Sequence, residues 1–139
     1  MSARARVRVL ICDDQEIFRV HARLILESTG GFELVGEAGD AAAGVAMALA
    51  LRPELVLMDV RLPDFPGSEA TRRILAAAPF LKVLAFSSED HWPTVKEMFC
   101  AGAVGYVLKN ENPAELLHGI EAVLGGGFFV SPGIKRVGW

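Results

Sequence analysis

The sequence has little cysteine, no excess of positive charge and no long apolar run, and each shortage excludes a class of protein. Two cysteines in 139 residues, Cys12 and Cys100, are too few for a disulfide scaffold and lack metal-ligand spacing. Both are expected to be reduced and buried. Fourteen Lys and Arg against 17 Asp and Glu leave a net charge of −3, with a pI near 5.6. The broad basic surface that nonspecific nucleic-acid binding requires is therefore missing. The stretch Met1 to Arg8 carries Arg4, Arg6 and Arg8, and no apolar segment of signal or membrane-spanning length follows it. A cytoplasmic protein without membrane contact is the expectation. No internal repeat is visible beyond a strand-helix unit, and nothing reads as a linker before Gly125-Gly126-Gly127.

What is present suits one folded domain. Hydrophobic residues make up 52% and charged residues 22% of the chain, and mean hydropathy is +0.35, a composition that buries a single core and argues against disorder. Apolar runs of strand length at Val7 to Cys12, Leu55 to Met58, Leu81 to Phe86 and Val104 to Leu108, interrupted by charge only at Arg8 and Lys82, read as strands covered on both faces, and Glu33 to Ala38 as a more alternating one. Between them lie amphipathic segments. Ile17, Val20, Leu24 and Ile25 share one helical face, as do Val95, Met98 and Phe99, and then Leu116, Leu117, Ile120, Val123 and Leu124. Helix starts are marked by Asp40, by Ser68 with Glu69 after Gly67, and by Asn112 with Pro113 and Glu115. Five strand-helix repeats predict an α/β, doubly wound parallel sheet in three αβα layers, whose ligands collect at the carboxyl ends of the strands.

Those ends carry chemistry. The first strand runs into Asp13-Asp14 and the third into Asp59. Three converging carboxylates repel one another unless a proton or a hard divalent cation compensates, and Mg2+ fits best. Ser87 closes the fourth strand and Lys109 follows the fifth. Taken singly, each of these residues is an ordinary cap, turn former or surface charge. Together they suit phosphoryl transfer to a carboxylate, with Asp59 as nucleophile and with Lys109 and Ser87 binding the transferred group's oxygens.

The segments Val9 to Asp14, Leu55 to Pro63, Phe86-Ser87-Ser88 and Ala101 to Lys109 resemble the receiver domain of bacterial two-component response regulators. Gly102 to Lys109 and Gly125 to Pro132 resemble its NarL/FixJ-like (LuxR-type) subfamily. The resemblance runs from about Val7 to Gly125. It implies a flavodoxin-like (CheY-like) five-stranded fold with strand order 2-1-3-4-5, a receiver over 1–127, and a linker or C-terminal tail beginning at 128–139. It implies phosphorylation of Asp59 by a histidine kinase or phosphotransfer protein, without turnover of external substrates. Mg2+ would be held by Asp14, Asp59 and the backbone carbonyl of Arg61, with Asp13 assisting. Ser87 and Tyr106 would form the switch pair, and Tyr106 also reads as an edge-strand aromatic packed on the fourth helix. Homodimerisation on phosphorylation is a further expectation, as is contact with DNA only through an output domain outside these residues.

Two departures stand out. Asn110 replaces the proline that usually follows the lysine, so a trans peptide is expected there. Arg61 stands where many relatives carry an uncharged residue, and Glu89 lies two beyond Ser87 as Arg61 lies two beyond Asp59. These opposite charges are expected to pair across the mouth of the site and to modulate phosphoryl lifetime. A flavodoxin needs a Ser/Thr/Gly-rich phosphate loop after strand one, where this chain has Asp13-Asp14-Gln15-Glu16. A haloacid-dehalogenase-like phosphatase needs a second Asp where Arg61 stands. Two outputs remain open within the family: transcription through a helix-turn-helix domain, favoured by the tail past Gly127, apolar at Phe128, Phe129 and Val130 and ending at Trp139, or docking of a stand-alone receiver onto another protein.

Overall fold

The computed structural model describes residues 6–134; Arg4 and the Trp139 end of the tail lie outside them. Strands and helices alternate as β1 (Val7–Cys12), α1 (Glu16–Thr29), β2 (Phe32–Ala38), α2 (Ala41–Leu51), β3 (Leu55–Met58), α3 (Gly67–Ala77), β4 (Lys82–Ser87), α4 (Trp92–Ala101), β5 (Gly105–Leu108), α5 (Ala114–Leu124) and β6 (Phe129–Val130). All the pairings are parallel, in the order β2-β1-β3-β4-β5-β6. The expected order holds, with one correction: the sheet has six strands, because the first residues of the expected tail pair with β5.

Successive strand residues point to opposite faces, and this period divides the core in two. Leu10, Cys12, Val56, Met58, Val83, Ala85, Tyr106 and Leu108 pack under α2, α3 and α4. Val9, Ile11, Leu55, Leu57, Leu84, Phe86 and Val107 pack under α1 and α5. No helix among the described residues is long and apolar enough to cross a membrane.

Local signals held unevenly. Asp40 caps α2, its carboxylate accepting from the Ala43 amide at 2.7 Å, and the Asn112 side chain accepts from the Ala114 amide at 2.9 Å. Ser68 is no cap: it is buried within α3 and its hydroxyl donates to Glu97 on α4 at 2.8 Å. The apolar face of α1 is also shifted from the expected one. Ala22 and Leu26 are buried, with Ile25 packed beside them, whereas Ile17 is 68% and Leu24 57% exposed. The small Ala22 lets the helix approach the sheet, which rotates the larger residues outward. Cys12 is buried as expected, but Cys100 is exposed, because Val95, Met98 and Ala101 are the residues of α4 that turn inward.

The sixth strand is clipped to β5 by its backbone and by one hydroxyl. The Ser131 amide donates to the Tyr106 carbonyl at 3.0 Å, and the Leu108 amide donates to Ser131 Oγ at 2.9 Å. Both Ser131 and Ile134 are buried. Tyr106 is therefore not on an edge strand, although it does pack with Val95 and Met98 of α4. Ser131→Ala strands the buried Leu108 amide and is expected to cost about 1–3 kcal/mol, read as a lowered urea midpoint. An unchanged midpoint would show that the clip contributes nothing.

Candidate phosphoacceptor site

Strand register builds the site. Cys12 lies opposite Met58, so Asp13 and Asp59 leave adjacent strands at the same level; the Asp59 amide is bonded to the Cys12 carbonyl at 2.9 Å. Ser87 lies opposite Leu108, and the Lys109 amide continues the ladder to the Ser87 carbonyl at 2.9 Å. Four strand ends thus deliver acid, acid, hydroxyl and ammonium to one edge. The loop after Asp59 is folded tightly back: the Gly67 amide donates to the Val60 carbonyl at 2.8 Å. A Cβ at Gly67 would lie 1.9 Å from the Asp59 carbonyl oxygen, so only glycine fits there. Asp64 anchors the same loop, accepting from the Ala41 and Ala42 amides at 2.8 and 2.9 Å, at the N-terminal end of α2, where a carboxylate is favourable.

Lys109 is the centre of the charge arrangement. Its side chain is 2% exposed, and its Nζ lies 2.7 Å from Asp13 Oδ2 and 3.2 Å from Asp59 Oδ2. The Phe18 ring covers the ammonium, with its centroid 4.0 Å away. Asp13 is fixed from its other oxygen by the Gln15 amide at 2.9 Å, and Asp59 by the Val60 amide at 2.8 Å. Burial pushes the Asp59 carboxyl from 3.8 up to about 6; Lys109 pulls it down and the Asp13 charge pushes it up again.

Asp14 is exposed, and one ligand oxygen each from Asp13, Asp14 and Asp59 lie within 4.8 Å of one another. Three hard carboxylate oxygens at this spacing form a donor set that fits Mg2+. Asp14, Asp59, Arg61, Ser87, Glu89 and Lys109 line a cleft of about 200 Å³ over the carboxylates, and Arg61 and Glu89 form an ion pair at its mouth. The Lys109–Asn110 peptide is trans, as expected. Tyr106 is fully buried. Its hydroxyl donates to the Glu89 carbonyl at 2.8 Å, while the Glu89 amide donates to Ser87 Oγ at 3.1 Å. One residue, Glu89, therefore ties the hydroxyl, the tyrosine and the arginine together.

Residues 9–121 match the family described as the response regulator receiver domain. The chain belongs to that family. Among curated proteins, this receiver is 37% identical to the response regulator GacA of Pseudomonas viridiflava and 33% to the response regulator UvrY of Escherichia coli O6:H1, over 94% of its own length in both cases. It spans 61% and 60% of those two relatives. Among solved structures, it is similar to a LuxR-family two-component response regulator from Aurantimonas sp. SI85-9A1, with TM-score 0.89, 36% identity and coverage of 94% and 93% of the two chains. It is also similar to the receiver of the putative response regulator NarL of Mycobacterium tuberculosis, with TM-score 0.84, 28% identity and coverage of 88% and 99%. The NarL/LuxR-type subfamily is the one these relatives share.

Sequence reasoning did not reach Phe18, Asp64 or the backbone of Glu89. Asp64 alone carried a local signal, a carboxylate in a Pro-flanked turn, and nothing local tells which helix such a residue caps.

The raised Asp59 carboxyl has a stability consequence in metal-free protein. The folded state binds this proton more tightly than the unfolded chain, so the stability it contributes is complete below about pH 4 and is lost as pH rises through about 6. Asp59→Asn is therefore expected to stabilise the metal-free receiver near pH 7.5 by on the order of 1–2 kcal/mol, discounted for the open cleft, and by much less near pH 4. Thermal melts in EDTA at the two pH values check this, and an equal effect at both contradicts it.

Proposed function

We propose that this receiver is phosphorylated on Asp59 with Mg2+ by a histidine kinase or phosphotransfer protein, and that the modified domain switches conformation to control output. The observation that carries this reading is the buried Lys109 ammonium between Asp13 and Asp59, facing a cleft that also contains Ser87 and Asp14. A carboxylate oxygen of Asp59 attacks phosphorus, the bond to the donor breaks, and the donor's nitrogen leaves with the electron pair. Lys109 and Ser87 bind equatorial phosphoryl oxygens. Asp14, Asp59 and the Arg61 carbonyl would hold Mg2+, with Asp13 behind them, and the ion would supply charge neutralisation at the transferring group. An exposed hollow of about 360 Å³ lined by Ile17, Phe18, Val20, His21 and Leu24 adjoins Lys109, apolar area suited to a protein donor. No turnover of an external substrate is part of this reading.

The switch runs through Glu89. Drawing Ser87 Oγ toward a phosphoryl oxygen competes with its bond from the Glu89 amide, and the Glu89 carbonyl is what Tyr106 holds. The change reaches α4, β5 and α5 as a shift between packed states, and a homodimer formed on phosphorylation is one way to read it out. The output we propose is transcriptional, through a helix-turn-helix domain, in a cytoplasmic regulator. The favouring observations are the similarity to longer regulators such as the transcriptional regulatory protein DegU of Brevibacillus brevis, 31% identical over 94% of this chain, and the acidic balance of the receiver itself.

Acetyl phosphate with Mg2+ should label the parent and leave Asp59→Asn unlabelled; labelling that is indifferent to Mg2+ or survives Asp59→Asn contradicts the reading. The Arg61 and Glu89 side chains shield the phosphoryl group from in-line water, so Arg61→Ala and Glu89→Ala should shorten its half-life, and the double variant less than additively. The pair is exposed on the Arg61 side and screened by solvent, so a change of only severalfold is expected. Four equal half-lives would remove the gate.

A further inference from the structure

Arg19 lies outside the cleft, yet its guanidinium ends on the turn that carries the acid pair. From the first turns of α1 its Nη1 donates to the Asp13 carbonyl oxygen at 2.6 Å. Its Nε lies 3.4 Å from Glu37 Oε1, and the other Glu37 oxygen takes Arg23 Nη1 at 2.6 Å. Glu37 is near the end of β2, opposite Ile11 of β1, so this carboxylate is held by the sheet. With one guanidinium on each of its oxygens, it orients Arg19 rather than merely neutralising it. The Arg19 and Glu37 side chains are 21% and 26% exposed, which reduces the screening of both contacts.

The carbonyl that Arg19 holds belongs to the peptide joining Asp13 to Asp14. Fixing that peptide plane fixes the direction in which Asp14 leaves the backbone. The Asp13 carboxylate has two supports of its own, the Gln15 amide and Lys109; the exposed Asp14 depends on its backbone for its aim. A planar guanidinium satisfies a carbonyl and a carboxylate at once, whereas an ammonium is a point donor on a flexible stem. Partners that orient ligands without touching the metal commonly set its affinity. We propose that Arg19, oriented by Glu37, is a positioning residue for Mg2+ binding: it holds the Asp13–Asp14 peptide so that Asp14 faces Asp59 across the cleft. The inference rests on the reading of that acid cluster as a Mg2+ site.

The test uses the full chain as parent, Arg19→Ala, Arg19→Lys and Glu37→Gln, with Mg2+ alone as ligand and backbone amide NMR shifts as readout. Arg19→Ala is expected to weaken Mg2+ binding about tenfold, Glu37→Gln to weaken it less, and Arg19→Lys to recover part of the loss. In EDTA, hydrogen exchange at the Asp14 and Gln15 amides should quicken in Arg19→Ala while β4 and α5 amides keep the parent rates. Parent-like Mg2+ affinity in Arg19→Ala overturns the proposal, and a lowered thermal midpoint with unchanged affinity overturns it equally, because that result describes a merely structural ion pair. A parent that gives no Mg2+ response overturns the metal reading beneath it, a result distinguishable from parent and variant responding alike.

Discussion

A buried ammonium between two carboxylates is the constraint on which the rest of this receiver depends. Asp13 and Asp59 stand side by side because β1 and β3 are in register, and two buried like charges at that spacing would otherwise drive the strand ends apart or force a proton onto one of them. Lys109 offsets the Asp13 charge, while burial still holds the Asp59 carboxyl up at about 6 against an ordinary 3.8. Two carboxylates against one ammonium leave an excess of negative charge, with Asp14 added at the rim, and on the proposed reading that excess would favour a divalent cation and then a phosphoryl group whose oxygens Lys109 would bind.

Most surrounding features keep that cluster in place. Phe18 and Phe86 flank the ammonium, limiting the water that would otherwise solvate it. Gly67 allows the loop after Asp59 to fold against its carbonyl, and Asp64 fastens the loop to α2. Arg19 and Glu37 do the same for the turn after β1. At the far side Glu89 joins Ser87, Tyr106 and Arg61, so the hydroxyl at one strand end is linked by hydrogen bonds to a buried aromatic ring packed on α4.

The strands were readable because the buried parallel strands are largely apolar runs, broken by Arg8 in β1 and Lys82 at the start of β4, and β1 and β3 begin and end where those runs do. β6 was not, because two residues after a glycine run carry no periodicity, and their pairing depends on the free edge of β5 and on Ser131. The α1 face was misplaced because periodicity alone favours large apolar side chains, while packing distance favoured Ala22. At the site, the residues at strand ends were legible, since a parallel sheet collects its strand ends at one edge. The Arg61–Glu89 pair was legible from opposite charges at matching offsets. Positions acting through backbone contacts, such as Arg19, Asp64 and the Glu89 peptide, were not, because side-chain identity says nothing about which distant amide or carbonyl it will meet.

The direct measurement of this electrostatic account is the Asp59 carboxyl titration, followed by carbon NMR in metal-free parent protein and in Lys109→Met. The account predicts a parent midpoint near 6, set by burial and the Asp13 charge against Lys109, and a higher midpoint once the ammonium is gone. A parent midpoint at the ordinary carboxylate value, unmoved by Lys109→Met, would contradict it.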